Sequence, residues 1–411
     1  MSDYEVYGDD RGDLQLVGQA HFTSGRSLAT TFLYDAAYLA RGGANIDPSL
    51  QLVPGPQYQS GMLRAFSDSS PDRWGRNLID KAERIAAREA GRAPKSLDDV
   101  SYLLGVSDDT RQGALRFRAV GTEDFLGAEA HVPAIVELPN LLRRSDELAG
   151  DDDYTEAVKQ LLDTGTTGLG GARPKASVRL EDGSLGFAKF PHSSDEWDVM
   201  AWEATTLGLL SDCGIAVPEF RLTRLGERCV LILRRFDRDA KQQRIGYISA
   251  MTAIGAADGE HHDYVEIADA IRDIARSPRA ALSDLFDRAI VNVALGNTDD
   301  HLHNHGFLSD GNAWTLSPAF DVNPNPDLAR SRSTSIAGAD THDTEIEGLL
   351  ALADDCDLTQ SRAREHMANI SEALSSWQDR ARRNRLPEKE ISRMGESIAP
   401  RLALVATAGR K

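Results

Sequence analysis

Residues 280–296 carry an unusually regular apolar stripe. Leu282, Leu285, Phe286, Ala289, Ile290, Val293 and Ala294 recur at i, i+3, i+4, i+7, i+8, i+11 and i+12, one face of an α-helix. The helix is expected to stop at Gly296 and to deliver the next residues, Asn297-Thr-Asp-Asp-His-Leu-His-Asn304, as a loop on a buried support. Within that loop Asp299 and Asn304 stand five positions apart. Kinase catalytic loops place a base Asp and a metal-binding Asn at that offset. The chemistry explains it: a carboxylate must accept a proton from an attacking hydroxyl, and an amide oxygen must ligate Mg²⁺ beside the transferring phosphoryl group. Ser317-Pro-Ala-Phe-Asp321 offers a further carboxylate after a polar turn and a segment bearing Trp314. A hairpin there would return a metal-ligating Asp to the loop. Turn chemistry also puts Asp, Asn and His in loops, so the rest of the chain must decide.

At 411 residues the chain has room for two or three domains with cores of their own. The 41% apolar content contains no run of 18 apolar residues, so no membrane span is expected. Residues 1–10 are acidic and lack an apolar stretch, unlike a secretory signal. Cys213, Cys229 and Cys356 are scattered without CxxC spacing, which suits a reducing, cytoplasmic setting. The net charge of −18 argues against strong binding of nucleic-acid backbone by the chain as a whole. The basic run from Arg380 to Arg385 reads as a solvated helix face.

Residues 12–34 alternate and turn at glycine, as in a small antiparallel sheet. After an irregular stretch near residues 50–56, Ser70-Pro-Asp-Arg-Trp74 predicts a helix capped by Ser70 and running to about Ala90, followed by a shorter one ending at Gly105. This part reads as a scaffold or partner-binding domain. The acidic residues 145–158 read as a linker or exposed boundary. Residues 165–175 (GTTGLGGARPK) then place four glycines in seven positions, which lets backbone N–H groups converge on an anion. The loop has neither Walker A nor G-x-G-x-x-G spacing. Residues 176–180 and 185–190 form a hairpin around Glu181-Asp-Gly183. It ends at Lys189, where a kinase holds the α- and β-phosphates, though an outward strand residue is the plainer reading. Met200, Ala204, Leu207 and Ser211 predict an amphipathic helix whose Glu203 is either a partner for Lys189 or a surface residue. A second hairpin across Gly226 leads through the apolar Cys229–Leu233 to Arg234-Arg235-Phe236, where an adenine-holding hinge would lie. Helices follow at 264–276, 280–296, 345–354, 359–378 and 388–405. Strands with a glycine-rich hairpin, then helices with acid residues on a loop, fit an α+β, two-lobed phosphotransferase with nucleotide between the lobes.

Along nearly its whole length the chain resembles the HipA family of serine/threonine protein kinase toxins from bacterial type II toxin–antitoxin systems. The resemblance rests on Phe32-Leu-Tyr-Asp-Ala-Ala-Tyr-Leu39, Ser70-Pro-Asp-Arg-Trp-Gly75, Tyr102–Asp109 with Gly113–Phe117, Gly170–Lys175, Ala188-Lys-Phe-Pro191, Arg235-Phe-Asp-Arg238, Asn297–Asn304 and Ser317–Asp321, in that order. It implies a protein-kinase-like fold with a β-rich N-terminal lobe, an extra N-terminal subdomain and an all-helical C-terminal lobe. The corresponding division is 1–145, 146–245 and 246–411. By position, Asp299 is similar to the family's catalytic base, and Asn304 and Asp321 to its Mg²⁺ ligands. Lys189 resembles the phosphate-binding lysine. Gly170, Gly171, Ala172, Arg173, Pro174 and Lys175 match the loop over the ATP phosphates. Arg234, Arg235 and Phe236 match the adenine hinge; His301 and Phe320 match further nucleotide contacts. The family phosphorylates a serine in its glycine-rich loop, whereas Gly168 stands at that place here, with Thr166 and Thr167 the nearest hydroxyls. The resemblance also implies a HipB-like helix-turn-helix antitoxin that supplies operator-DNA affinity, a higher-order complex with the antitoxin dimer, and a protein substrate such as an aminoacyl-tRNA synthetase. Other readings are a small-molecule kinase on the same scaffold, a catalytically weak subunit bridging antitoxin and DNA, and a zinc hydrolase using His301, His303 and His305 on one strand face.

Overall fold

A computed structural model describes residues 2–24, 27–127, 131–149, 155–165, 173–257 and 259–411. The chain divides into two compact units, Met1–Ser194 with Ile232–Ile248, and Asp195–Leu231 with Ser249–Lys411. The expected α+β class is the one found.

The first unit opens on an antiparallel sheet of five strands in the order β4-β3-β2-β1-β5: β1 (Ser2–Asp10), β2 (Asp13–Ser24), β3 (Leu28–Tyr34), β4 (Gln57–Ser60) and β5 (Leu115–Ala119). One face is apolar. Val6, Ala20, Phe22, Phe32 and Phe117 are buried on it, and Phe66 meets the Phe117 ring edge-on at 5.1 Å. Strand β1 was not foreseen, because its acidic residues mask a single buried alternation at Val6. Between the strands lie α1 (Ala36–Ala40) and α2 (Arg64–Asp68).

Helix α3 (Arg73–Glu89) has the predicted extent but a different cap. Asp72, not Ser70, accepts the Gly75 N–H at 2.8 Å. Ser70 instead donates to the Phe66 carbonyl and closes the preceding turn. Helix α4 (Asp99–Gly105) stands where expected, capped by Asp98. The acidic stretch is no linker over its described residues. It belongs to α5 (Leu138–Ala149) and α6 (Thr155–Asp163), whose Leu148, Val158 and Leu161 pack with Trp74, Leu78 and Ile85 of α3. Acidic side chains occupy the outer face of amphipathic helices there, as at the exposed Asp146.

The predicted hairpin follows as β6 (Lys175–Arg179) and β7 (Leu185–Lys189), turning at Gly183 with φ +80°. The second unit begins with α7 (Val199–Asp212) and continues through β8 (Phe220–Leu225) into β9 (Arg228–Arg234), whose last residues return to the first unit. There Asp237 accepts from Arg235, Arg238 and the Gly113 N–H, while Arg111 donates to the carbonyls of Ser69, Leu103 and Val106. Burial lowers the Arg111 guanidinium to about 9. These bonds give the Tyr102–Asp109, Gly113–Phe117 and Arg235–Arg238 motifs a structural role.

Helix α7 is not amphipathic. Every residue from Val199 to Leu210 is buried, Glu203 included. Thr205 and Thr206 hide their hydroxyls by donating to the carbonyls four residues back. Chain segment β10 (Tyr247–Ser249) leads to α8 (Ala250–Ile254), β11 (His262–Asp263), α9 (Tyr264–Ile274) and α10 (Pro278–Ala294), the striped helix. The antiparallel hairpin of β12 (Gly306–Asp310) and β13 (Ala313–Leu316) interrupts the helices where one was expected. Strand β14 (Thr334–Ser335) pairs parallel with β11, and α11 (Glu345–Asp355), α12 (Gln360–Leu374), α13 (Trp377–Arg383) and α14 (Glu388–Arg410) complete the unit. On α13 Arg380 pairs with Asp212, and Arg382 with Asp379 and Glu388. No helix among the described residues is long and apolar enough to cross a membrane.

Candidate active site

Helix α10 ends as its sequence implies. Leu295 caps it, and Gly296 takes φ +68°, where an added Cβ would lie 2.8 Å from the Ser397 hydroxyl and 3.4 Å from the Asn325 carbonyl. From Thr298 to His303 the loop then alternates between buried and exposed residues. Asn297, Thr298, Asp300 and His305 are buried, whereas the Asp299 side chain is 67% exposed. A single 3-10 turn, Leu302–Asn304, brings the chain back. It lets the Asn304 side-chain amide donate to the Asp299 carbonyl at 3.2 Å. The two residues selected by their offset are therefore joined directly. With its nitrogen so engaged, Asn304 has its amide oxygen left to act as a ligand.

Beneath the exposed pair lies a second, buried one. The Nε2 of His305 stands 3.1 Å from Oδ1 of Asp300. The other carboxylate oxygen of Asp300 accepts from the Tyr264 hydroxyl and, at 2.9 Å, from the Asn292 amide. Burial would raise the Asp300 carboxyl. The adjacent His305 imidazole and Arg332 guanidinium, with the hydrogen bond from Tyr264, hold it below its ordinary value. Asn292 in turn accepts from the Asn297 amide at 3.1 Å, so α10 grips the loop at two places.

From the hairpin, Ser317 N–H donates to the Gly306 carbonyl at 2.8 Å, and the chain continues through half-buried Phe320 to Asp321. Asp321 has φ +57°, the left-handed region that non-glycine residues seldom enter. Such conformations concentrate at functional sites, where surrounding structure holds them. Asn323 donates to its carboxylate at 3.4 Å. The following segment runs along the loop: Asn325 N–H donates to Gly296, Ser333 N–H to Thr298, and Arg332 to the Asn297 carbonyl. Arg330 lies 3.5 Å from the Asp299 carboxylate. Neither Arg330 nor the Asp300–His305 pair was selected from the sequence. The signal for the pair was present, because Asp300 and His305 repeat the five-residue offset one position on.

The histidines do not share a strand face. His301 and His303 are exposed with ring centroids 5.9 Å apart, and His305 points into the core against Tyr264. A zinc site of all three is thereby set aside.

In the first unit, Lys189 ends β7, buried, directly opposite Lys175 on β6. The Lys175 charge is committed elsewhere: its Nζ lies 2.9 Å from Asp72, and the Trp74 indole donates to its carbonyl at 3.2 Å. Pro174 accepts the Phe190 N–H at 2.9 Å, and Arg173 precedes it. Arg234 donates to Asp182 and Ser184. The Arg235 side chain is buried on Asp237 and the Thr110 carbonyl, while half-buried Phe236 lies beside Tyr247. Gly170, Gly171 and Ala172, with Thr166, Thr167 and Gly168, lie outside the described residues.

Comparison with known families gives two matches. Residues 11–118 match the HipA N-terminal domain, and residues 167–377 match the HipA-like C-terminal domain, which by itself spans half of the chain. The chain belongs to the HipA family. Its fold is similar to that in the complex of Shewanella oneidensis HipA, HipB and operator DNA, with a TM-score of 0.65 at 15% identity over 99% of this chain and 96% of the other. Two curated relatives are a Haemophilus influenzae protein named "Putative kinase", 27% identical over 40% of this chain, and "Putative kinase Y4mE" of Sinorhizobium fredii, 22% identical over 58%. The matches span 55% and 63% of the length of those relatives.

Proposed function

We propose that this HipA-family chain is an ATP- and Mg²⁺-dependent serine/threonine protein kinase, the toxin of a type II toxin–antitoxin module. One observation carries the reading. An exposed carboxylate, Asp299, is held at its own carbonyl by the Asn304 amide, on a loop anchored by the buried side chains of Asn297, Thr298, Asp300 and His305. The names of the curated relatives support it.

The residues present fit a hard cation. Asn304 and Asp321 offer only oxygen as ligands, the donor type Mg²⁺ takes, and Asp321 is held in the backbone conformation expected of a functional residue. When bound, Mg²⁺ would neutralise charge on the β- and γ-phosphates. Asp299 accepts the proton of the substrate hydroxyl as its oxygen attacks the γ-phosphorus and the bond to the β,γ-bridging oxygen breaks, releasing ADP. Lys189, the loop from Gly170 to Lys175 and the hinge from Arg234 to Phe236 hold the nucleotide, with His301 and Phe320 as further contacts. At Arg235 the contact falls to the main chain, because its guanidinium is engaged by Asp237. The threonines Thr166 and Thr167 are the candidates for self-modification.

The complex of Shewanella HipA with HipB and operator DNA supports a HipB-like antitoxin as partner; the proposed assembly has an antitoxin dimer, with operator DNA bound mainly through it. The acidic net charge of −18 agrees with DNA affinity supplied by a partner. A component of translation such as an aminoacyl-tRNA synthetase is the proposed substrate, phosphorylated in the cytoplasm. Incubation with γ-labelled ATP and cell extract tests this. Label on serine or threonine of a protein, identified by mass spectrometry, is expected. Label confined to a small molecule, or none at all, would overturn it.

A further inference from the structure

The buried Asp300–His305 pair repeats the sequence spacing of the Asp299–Asn304 pair. Each member of one pair follows a member of the other in sequence, and both pairs span five residues. Asp299 lies outside and Asp300 inside, and at the end of the 3-10 turn half-buried Asn304 and buried His305 divide the same way, so one pair forms the floor and the other the working surface. The floor is closed by the 3.1 Å contact of His305 Nε2 with Asp300, and the surface by the 3.2 Å bond from the Asn304 amide to the Asp299 carbonyl. The floor is fixed to three further elements. Tyr264 on α9 and Asn292 on α10 donate to Asp300, and the His305 carbonyl accepts the Ala250 N–H from α8 at 2.7 Å.

We propose that Asp300 and His305 form a clamp that sets the separation of Asp299 and Asn304, and that both are positioning residues for phosphoryl transfer. The inference rests on the kinase reading given above. Asp300 is 2% exposed and His305 3%, so neither reaches a substrate. Their effect passes through the chain to the adjacent side chains. Opening the clamp lengthens the loop's span, and displacement of a reacting group by about 1 Å costs on the order of 100-fold in rate.

The variants Asp300→Asn and His305→Gln roughly keep size and remove the carboxylate or the imidazole from the contact. Transfer rate is measured per ATP-binding site, with binding stoichiometry from calorimetry. Each variant is expected to lower kcat by roughly 10- to 100-fold, leave the KM for ATP within about twofold, and raise the Mg²⁺ concentration giving half-maximal rate. The double variant should fall within about threefold of the worse single variant, because one clamp is broken only once. Tyr264→Phe removes one hydrogen bond and keeps the ring, so it reads the same quantity where the others do not fold; a fall of a few-fold in kcat is expected. Unchanged kcat per site in the variants, or losses that multiply in the double variant, would overturn the clamp while wild-type activity leaves the kinase reading standing. No transfer by the wild type would overturn that reading, and the clamp with it.

Discussion

Glu345 offers the sharpest prediction about what holds the site. Its carboxylate lies between two guanidiniums. Oε1 is 2.9 Å from Arg332, and Oε2 accepts from Arg401. All three side chains are at most 1% exposed. The arginines also serve the site. Arg332 donates to the Asn297 carbonyl at 3.1 Å, and Arg401 to Leu328 at 3.3 Å, so the triad ties α11 and α14 to the two strands of chain around Asp299. Glu345→Gln preserves volume and leaves two buried cations without a counter-charge. Removing one partner of such a group costs about 3–5 kcal/mol. The second unit has roughly 200 residues. A domain of that size loses about 2–4 °C per kcal/mol, so its melting should drop by about 6–20 °C in scanning calorimetry. A triple variant, Arg332→Met with Glu345→Leu and Arg401→Met, should recover most of the loss, because well-packed apolar groups often replace buried ions at little cost. It should not recover phosphate transfer, because Asn297 and Leu328 lose their donors. Melting of Glu345→Gln within about 2 °C of wild type would refute the reasoning.

Two further outcomes test other parts of the account. Asp72→Ala removes both the counter-charge of buried Lys175 and the cap of α3, so the first unit should lose about 3–5 kcal/mol while the transition of the second is unmoved in the same scan. His366 on α12 lies 2.6 Å from Asp287 on α10, with the Phe286 ring edge, Arg362 and Glu365 around it. The hydrogen bond to Asp287 raises the imidazole above its ordinary value despite partial burial. A raised folded value stabilises the charged form, so the contribution is complete below about pH 6.5 and fades as pH rises through the folded value. The melting difference between wild type and His366→Gln should therefore be largest at low pH and close above neutrality; a gap that widens with pH would contradict this.

The sequence was most legible where local pattern and tertiary role coincide. The apolar stripe of α10 is periodic because one side packs inward, and Gly296 ends it because the left-handed turn there leaves no room for a Cβ. The spacing in the loop after it singled out Asp299 and Asn304, and in the fold the Asn304 amide donates to the Asp299 carbonyl. What stayed hidden depends on residues far away in the chain. Strand β1 forms a hairpin with β2, and its buried Val6 is paired with Phe117 of β5, more than a hundred residues later. The acids of 145–158 suggested a linker because the apolar partners of Leu148 and Val158 lie on α3. Helix α7 was read as one-sided, yet it is buried all round, since its threonines satisfy their own hydroxyls. Ser70 and Asp72 are both good caps on chemistry; Phe66 decides between them by accepting the serine hydroxyl. The left-handed backbone of Asp321 has only a weak signature in residue type: Asp enters that region more readily than most side chains, but nothing local says which Asp will do so.

The central claim is that Asp299 removes a proton during phosphoryl transfer and is not needed to bind the nucleotide. Wild type and Asp299→Asn can be compared by titration calorimetry with Mg-ATP and by transfer rate under saturating nucleotide. The account predicts equal affinity for the nucleotide and a rate lower by about 100-fold or more. Transfer by Asp299→Asn within tenfold of wild type, at full nucleotide occupancy, would contradict it.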